Sequence, residues 1–252
     1  MSKSISSGNL KTGSGYRASG KDLIGEIIVL IIAAGLIFFF GQKTRIMSIS
    51  IVLIILARFL ILNRKGDWIF FLLGLFLGGG NDLISMYKGV YYYLPGTFLS
   101  LPIPAWMLLF WGEIFIFFRK LCRFGPFIGE LPGFRRLIDL PLALDFLVAI
   151  IYRMVIYRLA SRSWLPDAIF AGILIIRLLL APPKTNERKL MLTILILGPL
   201  YEIFLIRSGL YVYQTGVVFG MPLWLIVYWV FIIRFLKAVF DRVEFYLTPR
   251  RG

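Results

Sequence analysis

The segment from Gly198 to Arg234 reads GPLYEIFLIRSGLYVYQTGVVFGMPLWLIVYWVFIIR and indicates the architecture of the chain. An earlier stretch, from Gly80 to Arg119, reads GNDLISMYKGVYYYLPGTFLSLPIPAWMLLFWGEIFIFFR and repeats its pattern. Each copy has a carboxylate seven residues before a glycine, then Gly-x-Tyr-x-Tyr, and after a loop Pro-x-Trp-x-x-x-x-Trp. The matched pairs are Asp82 and Glu202, Gly89 and Gly209, Tyr91 and Tyr211, Tyr93 and Tyr213, Pro104 and Pro222, Trp106 and Trp224, and Trp111 and Trp229. The pattern predicts two related halves.

Apolar segments along the whole chain follow the same duplication. Mean hydropathy is +0.85, and 59% of the residues are apolar while 16% are charged, which is typical of a polytopic membrane protein. Apolar segments fall at about 22–41, 46–62, 67–88, 101–118, 137–157, 165–181, 190–207 and 221–240, long enough to span a bilayer. A shift of 120 residues carries the first four onto the second four. The sequence therefore predicts an all-α polytopic membrane bundle of about eight transmembrane helices, built from two parallel four-helix repeats.

The basic residues predict the orientation of this bundle. Most Lys and Arg residues fall in the segments that a cytoplasmic N-terminus would place on the inner side. The positive-inside rule then predicts a multi-pass protein of the cell membrane with both termini in the cytoplasm. The predicted units are a disordered basic cytoplasmic arm at 1–21, a first four-helix repeat at 22–120, a cytoplasmic basic linker at 121–136, a second repeat at 137–240 and a cytoplasmic tail at 241–252.

Charge and residue usage narrow the function classes. The net charge of +15 would suggest nucleic acid in a soluble protein, but here the basic residues lie between apolar runs. They predict contact with anionic lipid headgroups on the cytoplasmic side and no nucleic-acid binding. The chain has no histidine and one cysteine, Cys122, which argues against His-ligated iron or haem and against a Ser-His or Cys-His nucleophile. No phosphate-binding loop or metal-ligand motif is found, so the sequence predicts no cofactor and no metal.

The two repeated carboxylates, Asp82 and Glu202, are the predicted catalytic residues. A charged carboxylate in hydrocarbon costs a few kcal/mol or more, so each needs a partner, a water-filled cavity or a proton. In a parallel repeat, equivalent side chains face each other across the axis, and two neighbouring acids favour keeping one proton between them. A neutral carboxylic acid in an apolar pocket is a proton donor. The alternative is a structural role, in which each acid bonds to backbone or to an intramembrane arginine.

Aromatic residues around the carboxylates are the predicted substrate-binding residues. The Gly-x-Tyr-x-Tyr elements alternate like strands, so Gly89–Pro102 and Gly209–Gly220 are predicted to be re-entrant or lid loops on the outer side. Their tyrosines would line the cavity and stabilise a cation through their ring faces, or form an interfacial belt. The predicted substrate-binding residues are Tyr91, Tyr93, Trp111, Tyr211, Tyr213, Trp229 and Glu113. Other intramembrane charges, namely Glu26, Arg58, Asp145, Arg153 and Arg177, are predicted to form buried structural pairs.

The second copy also resembles a known family. Glu202, Gly209, Tyr211, Tyr213, Pro222 and the tryptophan after it resemble the pattern of the membrane carotenoid-biosynthesis family, which includes carotenoid 1,2-hydratases and the bisanhydrobacterioruberin hydratase. The resemblance covers about 70 of the 252 residues, and Leu223 and Ala105 depart from it after the two prolines. It implies an enzyme in which a carboxyl group protonates a C=C bond of a long isoprenoid or carotenoid, followed by hydration or cyclisation. Membrane terpene and lycopene cyclases are similar in logic.

Two other function classes fit the same residues. One is a small membrane transporter or lipid-handling protein, whose carboxylate pair binds a proton or a cation. The other is a non-catalytic membrane subunit that docks a partner through its aromatic outer face. For the enzyme and for the transporter or lipid-handling protein, the predicted ligand is a membrane lipid or an isoprenoid. The sequence predicts no particular oligomeric state.

Overall fold

The residues that the structure describes form a bundle of eight helices with one small sheet. The structure is a computed structural model and describes residues 16–94, 102–129, 139–162 and 164–247. The helices are α1 (Gly20–Phe40), α2 (Thr44–Ile61), α3 (Asp67–Tyr87), α4 (Ala105–Cys122), α5 (Leu140–Leu159), α6 (Leu165–Leu180), α7 (Thr185–Arg207) and α8 (Leu223–Leu247). The strands are β1 (Tyr91–Tyr93) and β2 (Tyr211–Tyr213). Six of the eight helices are long and apolar enough to cross a membrane, so the predicted fold class is confirmed.

The two helices that fall short of a full apolar span do so for different reasons. In α4, three charges, Glu113, Arg119 and Lys120, interrupt an otherwise apolar segment. In α6 the helix has only 16 residues, or about 24 Å at 1.5 Å per residue. Helix α4 is mostly buried among its neighbours, whereas α6 lies at the surface of the bundle and buries only Pro166, Phe170 and Arg177.

The two halves pack in the same pattern. In the first half α1 contacts α2 and α4, and both α2 and α3 contact α4. In the second half α5 contacts α6 and α8, and both α6 and α7 contact α8. The halves meet where α4 contacts α8 and where β1 pairs with β2. Equivalent helices therefore occupy equivalent places around a common centre.

Strand β1 comes from the first half and β2 from the second. They pair antiparallel, with Tyr91 opposite Tyr213, Tyr92 opposite Val212 and Tyr93 opposite Tyr211. Because side chains alternate along a strand, the four matched tyrosines share the inner face, while Tyr92 and Val212 are about half exposed on the other. We call this pair of strands the tyrosine sheet. It closes one end of the bundle, the sheet end; the opposite end, near Gly20 and Leu247, is the terminal end.

Several predicted boundaries differ from the structure. Helix α1 already begins at Gly20, because Ser19 and Asp22 form a capping box. The preceding residue Ala18 pairs with Phe124, so only 1–15 of the predicted arm lies outside the described residues. The predicted tail begins too early, because α8 continues to Leu247. The predicted linker and first lid fall partly outside the described residues, which leave out 130–138 and 95–101.

The terminal end of the first half contains a buried network that we call the ionic cluster. Its members are Glu26, Arg58, Asp67, Arg119, Lys120 and Glu244. Arg58 bonds to Glu26 at 2.9 Å and also to Asp67, and Lys120 bonds to Glu26. These side chains come from α1, α2, α3, α4 and α8. The network satisfies each buried charge with opposite charges and ties these helices together.

Candidate functional site

Asp82 lies in α3, six per cent exposed, under the tyrosine sheet. Three side chains donate hydrogen bonds to it. Tyr91 donates to Oδ1, while the Tyr93 hydroxyl and the Trp111 indole donate to Oδ2 at 2.8 and 2.7 Å. The bonds connect α3 to the strand that follows it and to α4. Asp82 is thus an acceptor surrounded by donors, with no bond to backbone or arginine among its hydrogen bonds in the described residues.

Glu202 occupies the equivalent place in α7. Tyr211 donates to its Oε2, and the Trp229 indole donates to Oε1 at 3.2 Å. The Tyr213 hydroxyl also faces this carboxylate. Each carboxylate therefore takes its donors from the repeated tyrosine and tryptophan of its own half. This repeated arrangement explains why the motif spacing recurs along the chain.

Glycine makes room for the two indole rings. A Cβ atom on Gly78 would lie 2.5 Å from Trp111, and one on Gly198 would lie 2.7 Å from Trp229. Such contacts are far inside van der Waals distance. The two glycines are 120 residues apart, like the carboxylates. They let α4 approach α3, and α8 approach α7, closely enough for each indole to reach its carboxylate.

Both helices are irregular just before the carboxylate. In α3 the segment Gly74–Gly79 is a π-helix, a form that is rare and is often found at functional sites. In α7 Pro199 interrupts the backbone hydrogen bonds three residues before Glu202. The two halves reach the same side-chain arrangement through different local backbones.

The four inward tyrosines form a compact cluster between the carboxylates. Ring centres of Tyr91 and Tyr213 lie 5.1 Å apart, and those of Tyr93 and Tyr211 lie 5.4 Å apart. Burial, and then the neighbouring carboxylates, raise the pKa of the Tyr91 and Tyr211 phenols well above the usual value. The phenols therefore stay protonated and can act as donors. A void of about 30 Å³ lined by both carboxylates remains at the centre, enough for a water molecule.

A much larger cavity of about 670 Å³ adjoins this cluster, and we call it the main cavity. Its walls come from α3, α4, α5 and α8 and are mostly apolar. Leu77 on α3 and Phe146 on α5 line it and are 51% and 58% exposed. The main cavity therefore opens between these two helices, on the side that faces lipid. Its lining along α5 runs from Leu142 to Ile156, about 21 Å at 1.5 Å per residue.

Arg153 on α5 brings a positive charge to the wall of the main cavity. Its Nη1 donates to the Ser85 hydroxyl at 3.4 Å and its Nη2 donates to the Tyr228 hydroxyl. The predicted structural role of Arg153 in an ion pair is wrong for the described residues, where no carboxylate oxygen lies within 4 Å of it. Asp145 pairs instead with Arg177 at 2.7 Å. Glu26 and Arg58, also among the residues predicted to form structural pairs, bond to each other in the ionic cluster.

Eight of the nine predicted site residues lie together around the two carboxylates and the adjoining cavities. Glu113 does not. It is buried on another face of α4, with one carboxylate oxygen 3.8 Å from Arg58 Nε, and within the described ranges neither oxygen accepts a hydrogen bond. The expected contact of Glu113 with substrate is therefore corrected: it belongs beside the ionic cluster. In the described residues no three His, Cys, Asp or Glu side chains form a group suited to a metal.

The sequence did not predict four polar residues of the main cavity as part of the site. These residues are Asn81, Ser85, Arg153 and Tyr228. One signal was available, because an ionisable residue inside a membrane helix marks a functional site by default. Arg153 met that criterion, but Asp145 on the same helix offered an apparent partner. Asn81, Ser85 and Tyr228 gave no repeated pattern that would single them out.

The fold and the site define a class: a multi-pass membrane protein whose two similar halves enclose a cavity open to lipid. Among solved structures, the fold is similar to MvINS, a mycobacterial Insig homolog from Mycobacterium vanbaalenii, with a TM-score of 0.57 and 17% identity over 75% of this chain and 98% of that one. A cross-linked trimer of a MvINS variant matches with a TM-score of 0.55, 17% identity and the same coverage. At this identity the likeness shows the fold alone.

One family model is similar in sequence to part of the second half. A family described as protein of unknown function (DUF2878) matches residues 152–246, from the middle of α5 to the last turn of α8. This range contains Glu202, its tyrosine and tryptophan donors, and Arg153. No curated protein matches the chain. None of these matches is to the carotenoid-biosynthesis family, and that resemblance stays a prediction.

Proposed function

We propose that this protein is a lipid-handling membrane protein that takes an amphipathic lipid or isoprenoid from the bilayer into the main cavity. The observation that carries the proposal is the main cavity itself. It has about 670 Å³ and mostly apolar walls, and pockets of about 300–1,000 Å³ are the size range of small-molecule sites. Its exposed rim at Leu77 and Phe146 supports lateral entry from the acyl chains. A few polar groups at one end would orient the polar end of the ligand.

In this proposal the two carboxylates stabilise the end of the main cavity that the tyrosine sheet covers. Asp82 and Glu202 accept bonds from the tyrosines of the sheet and from the tryptophans of α4 and α8. Buried polar groups that are fully bonded rigidify the structure around them. The pair would thus fix the tyrosine sheet over the cavity, and the void between them would hold a water or a small cation.

The proposed orientation places the sheet end on the outer side of the cell membrane and both termini in the cytoplasm. The basic residues of the terminal end would then contact anionic headgroups of the inner leaflet. Asp82 lies five residues before the end of α3, about 8 Å along the helix. The polar end of the ligand would lie at that depth in the outer half of the bilayer.

Acid-catalysed hydration or cyclisation of an isoprenoid is a second candidate function. One observation favours it: both carboxylates line the large apolar cavity, where aromatic faces of Trp111 and Trp229 could shelter a cation. The hydrogen bonds of Asp82 support this catalytic function less well than they support lipid binding. A carboxyl group that must donate a proton to a C=C bond has to be protonated, whereas Asp82 accepts bonds from three donors.

Lipid binding is tested with the purified full-length chain in phosphatidylcholine nanodiscs. Native mass spectrometry of the wild type is expected to show a co-purified lipid. Ala149→Trp fills the cavity from its α5 wall and should remove that lipid. Ala57→Trp places the same ring on the exposed side of α2 and should retain it. A wild-type protein without bound lipid, or equal loss in both variants, would contradict the proposal.

The second candidate is tested in the same preparation. An acyclic carotenoid or isoprenoid is incubated with the wild type, Asp82→Asn and Glu202→Gln, and the extracted products are weighed by mass spectrometry. Hydration adds the mass of one water, and cyclisation gives an isomer of unchanged mass. Turnover that either variant abolishes would make the protein an enzyme. Unchanged substrate together with retained lipid would leave the binding function alone.

A further inference from the structure

Arg153 is a cation on the cavity wall without a carboxylate partner within 4 Å in the described part of the chain. Two other buried arginines have carboxylate partners, Arg58 with Glu26 and Asp67, and Arg177 with Asp145. Arg234, on α8, bonds instead to the backbone carbonyl of Ala181. An unpaired charge removed from water is costly, and proteins compensate it with a counter-charge. Because Arg153 faces the main cavity, a ligand can supply that counter-charge.

Neutral hydrogen-bond donors surround this guanidinium. The Tyr228 hydroxyl accepts from Arg153 Nη2, so its own proton is free to donate. The Asn81 side chain lines the same part of the main cavity and offers an amide N–H group. The Ser85 hydroxyl donates to the backbone carbonyl of Asn81 and accepts from Arg153. A guanidinium beside free hydroxyl and amide donors is the arrangement that binds carboxylate and phosphate groups.

We propose that Arg153, with Tyr228 and Asn81, binds the anionic headgroup of a single-chain amphiphile whose carboxylate or phosphate group lies at the sheet end of the main cavity. This inference rests on the proposed function, because it names the chemical class of the lipid. The apolar chain would run along α5 from Arg153 toward Leu142, a distance of about 17 Å at 1.5 Å per residue. The lining over that distance is apolar on α5, at Ala149, Phe146 and Ala143.

The carboxylates restrict where the headgroup can sit. Asp82 and Glu202 would repel an anion from the region under the tyrosine sheet. Arg153 offers attraction on the α5 wall, so the anion is confined to that wall. The first half has no equivalent position, because Ala33 stands where the repeat would place a second arginine. The proposal is therefore a single anion site on one side of an otherwise repeated bundle.

The test compares headgroups on one chain length. The full-length protein in phosphatidylcholine nanodiscs is titrated with palmitate, hexadecyl phosphate and hexadecanol in alkaline buffer, and bound amphiphile is counted by native mass spectrometry. Palmitate, hexadecyl phosphate or both should bind at least about 10-fold tighter than hexadecanol. The stronger of the two anions identifies the headgroup source. Wild-type protein alone gives this result, so the test does not depend on the folding of a variant.

Two variants assign the preference to Arg153. Arg153→Gln should abolish the preference for the anion, so that the three amphiphiles bind within about 2-fold of one another, and Arg153→Lys should retain part of the preference. Arg158→Gln removes a charge from the exposed side of the same helix and should keep the full preference. Equal binding of all three amphiphiles, or equal loss in Arg158→Gln, would overturn the anion site while leaving lipid binding intact. Failure of every amphiphile to bind would overturn both.

Discussion

The two halves of the molecule share a packing pattern but differ in what fills the space beside their first helix. Position 26 on α1 matches position 146 on α5 in the repeat. Glu26 is buried and bonded to Arg58 and Lys120, so the first half is closed by the ionic cluster. Phe146 is 58% exposed and lines the main cavity. At this position, therefore, the first half has a buried carboxylate in ion pairs, whereas the second half has an exposed phenyl ring that lines the main cavity.

The two halves therefore share more residues at the centre of the bundle, where they meet, than at its sides. At the sheet end the same glycine, carboxylate, tyrosine and tryptophan recur, because in each half the carboxylate takes its hydrogen bonds from the tyrosine and tryptophan of that half. Away from the centre the halves are free to diverge. The first half contains the ionic cluster beside α1, whereas in the second half α5 forms one wall of the main cavity, which both halves line. Variants at matched positions can test this division.

The largest effect is expected at positions 26 and 146. Glu26→Gln breaks the ion pairs with Arg58 and Lys120 and leaves buried charge uncompensated, so it should cost about 3–5 kcal/mol of stability. Phe146→Ala removes a ring that is more than half exposed and should cost about 1 kcal/mol or less. Thermal unfolding in nanodiscs measures both. Similar losses of stability at the two positions would contradict the inference that position 26 stabilises the bundle more than position 146 does.

Tyrosine variants test whether the two carboxylates are held alike. Tyr211→Phe removes the hydroxyl donor to Glu202 and should cost about 1.5–3 kcal/mol, the range for hydrogen bonds to charged groups. Tyr91→Phe should cost a similar amount, because each carboxylate keeps its tryptophan donor and the second tyrosine of its strand. Thermal unfolding and hydrogen exchange at the strands measure the losses.

The control for the tyrosine variants is Tyr92→Phe, on the exposed face of the sheet. Its hydroxyl only accepts a 3.3 Å bond from Gln214 at the surface. Its loss should change stability by about 0.5 kcal/mol or less. A control as damaging as Tyr211→Phe would show that ring hydroxyls at the sheet matter for reasons other than the carboxylates.

Glycine variants test the shared centre directly. Gly78→Ala and Gly198→Ala each push a methyl group into an indole ring, at 2.5 and 2.7 Å from the nearest atom. Overpacking of this kind costs about 1–3 kcal/mol, and both losses should be alike because the contact is repeated. Gly80→Ala meets no atom within 4 Å and should be neutral or stabilising. An unfolding series in which one of the matched glycines tolerates alanine would break the equivalence of the halves.

Much of the fold follows from the sequence because its signals are periodic. Eight apolar segments and the 120-residue shift predict the bundle, and the glycines with alternating tyrosines at 91, 93, 211 and 213 predict strand-like lids. The sequence does not say that the two lids pair with each other, because that pairing depends on how the halves approach. Nor does it give the main cavity, which is space left between helices. Arg153 illustrates the limit: Asp145 precedes it on α5 by eight residues, yet the partner of Asp145 comes from α6.

The smallest effect is expected at Glu113, the predicted site residue that lies away from the cavity. Neither of its carboxylate oxygens accepts a hydrogen bond, and its approach to Arg58 is 3.8 Å. The Glu113→Gln variant keeps the shape and breaks no hydrogen bond, so stability should change by less than about 1 kcal/mol. The matched comparison is Glu26→Gln, which touches the same Arg58 through a 2.9 Å bond. If thermal unfolding shows Glu113→Gln to be as damaging as Glu26→Gln, then Glu113 carries a charge that the ionic cluster requires, and the contrast between the two acids is lost. If lipid content also changes, Glu113 acts on the main cavity from outside it.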